Sequence, residues 1–276
     1  MVSHLPLGGW GIKASTASLK ALVDSVPFDE NSSGLLAILH QRLEHKPEDW
    51  PVFESIALKL AVKIELIKSG GMDSHYWEGI SAHLTKGHPR KLAAAIFGAQ
   101  SARDDGAWFI EHASANGILR ACFNGDPDGV WDELAPWLEN EKRVGGFLVG
   151  FPAGIISLVP VERILNWIGK DSKKRVSIAA SMVTLDLSEG SLAATLLEKY
   201  PQDAAVAQEL FRATIEGAWS GHASDRWTSI ANRVGEIAKD AKNAAVRRWA
   251  IGAAEDLRLM ATRDRKREEE EALRRR

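Results

Sequence analysis

The sequence predicts an all-α fold with no sheet, built as an α-solenoid of stacked antiparallel helix hairpins. Three observations predict it. Apolar residues recur at helical spacing along most of the chain, and no stretch alternates with period two for long enough to make a strand. A two-helix pattern recurs four times between Val130 and Ala261, with first helices marked by Val130, Val161, Leu192 and Trp227. The second helices enter on Val144, Val176, Val206 and Val246, separated by 32, 30 and 40 residues. That is the period of stacked helical hairpins.

Taken in order, Met1 to Lys13 lacks a basic n-region and an apolar h-region, so no signal peptide is expected. With Gly8, Gly9 and Gly11, residues 1–14 read as a flexible lead-in or as the cut start of a longer chain. Ser15 or Thr16 caps a first helix carrying Leu19, Leu22, Val23 and Val26, stopped at Pro27. Asn31 to Ser33 cap a helix over 34–45 with Leu35, Leu36, Leu39 and Leu43 on one face. Pro47 opens the next, where its missing N–H costs little. Phe53, Ile56, Leu60, Ile64 and Ile67 point inward from it, and it is expected to run to about Lys68 and stop at Gly70-Gly71. Residues 74–86 and 90–101 form two helices parted by Gly87-His88-Pro89, and 105–123 a third that bends at Asn116-Gly117. Residues 124–129 read as a turn. Val183 to Leu187 is the nearest thing to a strand, but it is too short to change the class.

The domain reading is therefore a lead-in (1–14), a solenoid (15–261) and a charged helical tail (262–276). Within the solenoid, 15–126 is irregular and 127–261 regular. In the tail, Arg265 with Glu269, Lys266 with Glu270 and Glu271 with Arg275 fall at i,i+4. Such pairs stabilise a helix by about 0.2–0.5 kcal/mol each, so the tail is expected to project as a solvated extension.

Composition narrows the function. Hydrophobic content of 45% and charge of 26% are those of a globular protein. A formal net charge of −2 provides no global field toward nucleic acid or an acidic membrane. A single cysteine, Cys122 between Ala121 and Phe123, excludes an internal disulfide framework, suits a reducing cytoplasm and reads as a buried thiol.

The second helices carry a family resemblance. Lys142-Arg-Val144, Lys173-Lys-Arg-Val-Ser-Ile-Ala-Ala180 and Asp240-Ala-Lys-Asn-Ala-Ala-Val-Arg-Arg-Trp-Ala250 resemble the inner helix of HEAT-type repeats. There a polar turn leads into Val-Arg and then small residues that allow close stacking. The third unit, Ala205-Val206-Ala207, departs by lacking the basic residue. The resemblance covers about half the chain and implies a right-handed solenoid. The last hairpin and its tail also look like the C-terminal ends of large multidomain bacterial NTPases.

No motif specifies catalysis, a cofactor or a metal. Asn124-Gly-Asp-Pro-Asp-Gly129 imitates the first half of a calcium loop, but Ala135 stands where the bidentate glutamate belongs. Asp126 capping a helix that begins at Pro127 explains it. His75, Glu78, His83 and His88 lie close in sequence, with Glu111-His112 able to approach, yet only His75 and Glu78 have helical ligand spacing. His222-Ala-Ser-Asp225 is no triad, because triads assemble in space; Ser224 or Asp225 as a helix N-cap accounts for the residues. Neither a Gly-x-Ser-x-Gly elbow nor a P-loop occurs. Residues 144–161 are uncharged, with Gly146, Gly150 and Gly154 at four-residue intervals, but Pro152 and Pro160 interrupt the run and favour a buried helix over a membrane span.

Ten tryptophans stand against two tyrosines. Most suit core positions, and some are expected on a binding face, where Trp and Arg dominate hot spots. The candidate binding residues are Lys142, Arg143, Lys174, Arg175, Arg247, Arg248 and Trp249, expected to share a concave groove. The leading expectation is a non-enzymatic, cytoplasmic module that recognises a protein partner, or other domains of a larger chain as a sensor or scaffold, without cofactor, metal or membrane. The alternative is a nucleic-acid-binding solenoid like the HEAT-like DNA glycosylases. It is disfavoured because Glu141, Asp171 and Asp240 sit beside the same cations and would repel phosphate.

Overall fold

The computed structural model describes residues 13–25, 32–63, 71–101, 113–140, 155–169, 173–216 and 219–274. Among them 85% are helical and none lies in a strand, so the chain is all-α over the described residues. It divides into two compact units, Met1–Pro152 and Ala153–Arg276.

Unit 1 contains α1 (Thr16–Ser25), α2 (Ser32–His45), α3 (Trp50–Ala61, entered through a 3-10 turn at Pro47–Asp49), α4 (Gly71–Gly87), α5 (Pro89–Ser101), α6 (Ala113–Gly125) and α7 (Pro127–Asn140). Helices two apart pack together throughout: α1 on α3, α2 on α4, α3 on α5, α4 on α6 and α5 on α7. From α2 onward, chain neighbours touch as well. Leu19 and Val23 from α1, Leu35, Leu36, Leu39 and Leu43 from α2, and Phe53 and Leu60 from α3 are all buried, as their spacing predicts.

Ser15 caps α1, its hydroxyl accepting the Ser18 N–H at 3.1 Å. A buried charge pair then joins α2 to the turn before α3 and takes in the start of α1. The Arg42 guanidinium, 1% exposed, donates to Asp49 at 2.5 Å, to the Ala14 carbonyl at 2.8 Å and to Thr16 Oγ1 at 3.1 Å. Burial alone would raise the Asp49 pKa, but hydrogen bonds from Arg42 and Thr16 outweigh it and hold the carboxyl below its ordinary value.

The boundaries differ from the sequence expectation in three places. α3 ends at Ala61, where Val62 leaves helical geometry with ψ 7°, well short of Lys68; Ile64 and Ile67 lie outside the described residues. Gly71 opens α4 instead of terminating α3. The turn expected over 124–129 shrinks to Asp126, whose carboxylate accepts the Gly129 N–H at 2.8 Å as a helix cap. A Cβ on Gly129 would overlap the Asp126 carboxylate as it lies, so a side chain there would make that carboxylate shift.

Unit 2 contains α8 (Val161–Ile168), α9 (Lys173–Met182), α10 (Leu192–Lys199), α11 (Ala204–Ile215), α12 (Ala223–Asp240) and α13 (Ala244–Arg274). These form three successive pairs, α8 with α9, α10 with α11 and α12 with α13. α9 also packs on α11, and α10 on α13. Val176, Val206 and Val246 are buried in the first turns of the three second helices; Val144 lies outside the described residues. The α12–α13 core is built from Ala231, Val234, Ala250, Ala253, Ala254 and Leu257, four of them alanines. Residues 183–187 form no strand. The Asp186 carboxylate accepts the Ser188 amide and hydroxyl there, at 3.0 and 2.6 Å, making a side-chain turn.

Candidate functional site

One concave site among the described residues lies in unit 2 between α10, α11 and the start of α13. Its cavity is about 530 Å³. On α13 the lining residues are Ala245, Arg248, Trp249, Gly252, Ala253 and Asp256, one helix face at i, i+3, i+4, i+7, i+8 and i+11. Leu197, Phe211 and Ile215 provide the apolar wall opposite. Asp203, Arg212, Arg248 and Asp256 contribute charges of both signs.

Each part has a local cause. The Trp249 Nε1–H donates to the Ala207 carbonyl at 3.2 Å, which fixes the half-buried ring against α11. Asp203 caps α11 by accepting the Ala205 N–H at 2.9 Å, and Asn243 caps α13 by accepting those of Ala245 and Val246 at 2.8 and 3.3 Å. Gly252 leaves the groove open, for a Cβ there would meet nothing within 4 Å. The site is thus an aromatic anchor beside bare backbone, bounded by charge. It can accommodate an apolar side chain of a partner and fix its orientation through the charged groups.

The structure separates the residues expected to share one groove. Arg248 and Trp249 meet in it. Arg247, one residue earlier, does not line it; its guanidinium reaches back to the Ala241 carbonyl at 2.7 and 3.2 Å, closing the end of α12. Arg175 donates to the Trp167 carbonyl at 2.6 Å and lies 5.7 Å from the Trp167 ring centroid, tying α9 to α8. Lys174 is exposed on α9. Lys142 and Arg143 lie outside the described residues. Sequence reasoning missed Leu197, Phe211, Ile215, Gly252 and Asp256. A signal did exist: Ala245, Gly252 and Ala253 place small residues around Trp249 at helical spacing, which makes a hole beside a ring.

The other candidates resolve into packing. Among the described residues no group of three or more His, Cys, Asp or Glu side chains could hold a metal ion. Glu111 and His112 are outside that set. His83 and His88 lie against the Trp50 ring, with centroids 4.5 and 5.7 Å away, and His88 is 3.2 Å from Glu54. Burial, then the charges of His88 and Lys86, lowers the His83 pKa. Burial is likewise the largest cause of the lowered His40 pKa; nearby Glu44 opposes it and His75 adds to it. The His40 ring lies over Gly79, where a Cβ would fall 2.1 Å from Nε2. No helix of the described residues is long and apolar enough to cross a membrane. Residues 144–154 of the uncharged stretch are outside them, while Ile155, Ile156 and Val159 are buried.

Around His222 the expected cap is corrected. α12 starts at Ala223 with His222 at the N-cap position and no side-chain cap of its own. Glu268 from α13 supplies the acceptor instead, taking the Ser224 hydroxyl at 2.6 Å and its amide at 3.2 Å. These bonds, the hydroxyl first, hold the Glu268 carboxyl below its ordinary value against its own desolvation. Asp264 accepts the Trp227 Nε1–H at 2.8 Å. Through Glu268, therefore, the charged tail is docked on α12 and does not simply project.

Comparison with known protein families, curated proteins and solved structures found no match.

Proposed function

We propose that the chain is a non-enzymatic helical-repeat protein of the α-solenoid type that recognises a segment of another protein. The observation that carries this reading is the groove beside Trp249. An aromatic anchor, an arginine and an open glycine backbone sit together on one helix face, and large aromatics with Arg are the residues that dominate protein-recognition hot spots. Packing of every second helix through unit 1, and the paired helices of unit 2, support a repeat architecture. The mixed charge around the groove favours a polypeptide over a phosphate backbone, since Asp203 and Asp256 would repel phosphate while a peptide can pair with both signs. Two of the arginines expected to share a concave groove, Arg175 and Arg247, are engaged by backbone carbonyls.

The test is selection of a displayed random peptide library on the full chain. Enriched peptides are then measured against Trp249→Ala and Gly252→Leu, the second of which fills the groove. Peptides that bind the unaltered chain and lose about tenfold or more in affinity to both variants are expected, as for loss of a hot-spot contact. Absence of enrichment, or equal binding to the variants, contradicts the reading. So does tight, steeply salt-dependent binding of a generic DNA duplex at physiological ionic strength.

A further inference from the structure

A second groove of unit 2 lies where residues 187–190, α10 and the last turns of α12 surround the entry into α13. Its cavity, about 850 Å³, is larger than the first. Leu187, Ala194, Ile237 and Val246 supply an apolar lining. Four carboxylates, Glu189, Glu198, Glu236 and Asp240, line it against two cations, Arg233 and Lys242. The carboxylates outnumber the cations two to one.

Local stability does not explain this arrangement. Glu236 and Asp240 stand at i,i+4 on one helix, where like charges repel. Both lie at the C-terminal end of α12, where the macrodipole is already negative and favours cations. The exposed Lys239–Glu236 pair at 2.8 Å offsets little of this, because solvent screens it. Asn243 holds the mouth in place: its carbonyl oxygen caps α13 while its amide donates to Glu198 at 3.1 Å, linking the turn to α10.

We propose that this groove binds an arginine- or lysine-bearing segment of a partner protein. Such side chains have apolar stems and a cationic end. The stems lie along Leu187 and Ile237, and the charged ends meet Glu236, Asp240 and the negative end of α12. Arginine fits best, since a guanidinium bridges two carboxylate oxygens at once. The site is separate from the first groove, because Val246 lines it from α13 whereas Ala245, Trp249 and Gly252 line the other. The inference rests on the protein-recognition reading only for the class of occupant.

Fluorescence anisotropy with labelled synthetic peptides tests it at physiological ionic strength. The probes are an alternating arginine–alanine peptide and the same peptide with glutamine for arginine. The arginine peptide is expected to bind at least about tenfold more tightly than the glutamine one, and Glu236→Gln with Asp240→Asn to remove that difference. Glu269→Gln with Glu270→Gln, an equal change of charge on the exposed end of α13, is expected to preserve it. No binding of the arginine peptide, or binding that both charge variants weaken equally, overturns the proposal. Trp249→Ala separates the two readings: binding lost there and retained in Glu236→Gln/Asp240→Asn belongs to the first groove and overturns this assignment.

Discussion

Arg42 and Asp49 show how much a single buried pair decides. With Arg42 removed, Asp49 keeps its burial and loses its main partner, so Arg42→Ala is expected to cost about 3–5 kcal/mol in urea unfolding. A loss under about 1 kcal/mol would mean that water replaces the guanidinium, at the level of an exposed pair. The pair also sets a pH dependence. The Asp49 pKa is depressed in the fold, so its contribution is complete above the ordinary aspartate value of 3.8 and is lost as pH falls through the folded value. His40 and His83 act earlier on the same axis. Their folded pKa values are lowered from 6.5, so the unfolded chain takes up protons first and stability declines once pH drops below that value. The melting temperature is therefore expected to fall in two stages on acidification, with His40→Gln and His83→Gln flattening the first. A profile that is level until the carboxylates titrate would contradict this. Cys122 is fully buried and burial pushes its thiol up to about 12, so iodoacetamide should label it only after unfolding.

Among the elements, α13 joins the most roles in one helix: groove wall, packing partner of α12 and source of the acceptor that caps it. Glu268 and Asp264 predict that deletion from Arg263 onward lowers the melting temperature, whereas deletion of Glu269–Arg276 leaves it nearly unchanged. Equal melting of the two truncations would show that the docking contributes nothing. Gly252 makes the opposite kind of prediction. It lies inside a helix with open space at its Cβ position, so Gly252→Ala should stabilise by about 0.5–1 kcal/mol. A destabilisation would mean that the groove is closed in solution. Local signals in these elements were legible. Ser15, Asp126 and the apolar faces of α1 and α2 could be read directly, since each acts within a turn or two of itself. The Glu268 cap could not, because its acceptor comes from 44 residues away and leaves no mark beside Ser224. The early end of α3 was hidden as well, since Ile64 and Ile67 continue its apolar rhythm past the point where the helix stops.

For the whole molecule, the recurring valines marked three helices of unit 2 correctly, because Val176, Val206 and Val246 each lie buried in a first turn. The contacts between described helices two apart in unit 1 left no such mark in the sequence. Those helices differ in length and in sequence spacing, so no sequence period survives. The groove beside Trp249 was half legible: Arg248 and Trp249 are neighbours in sequence, while Phe211 and Ile215 arrive only by folding. The most direct measurement of the protein-recognition account is hydrogen–deuterium exchange on the full chain, with and without a peptide selected on it. Added protection confined to α11 and to the part of α13 around residues 245–256 is the predicted result. Protection elsewhere in the chain with none at those two helices, or no protection at saturating peptide, would contradict it.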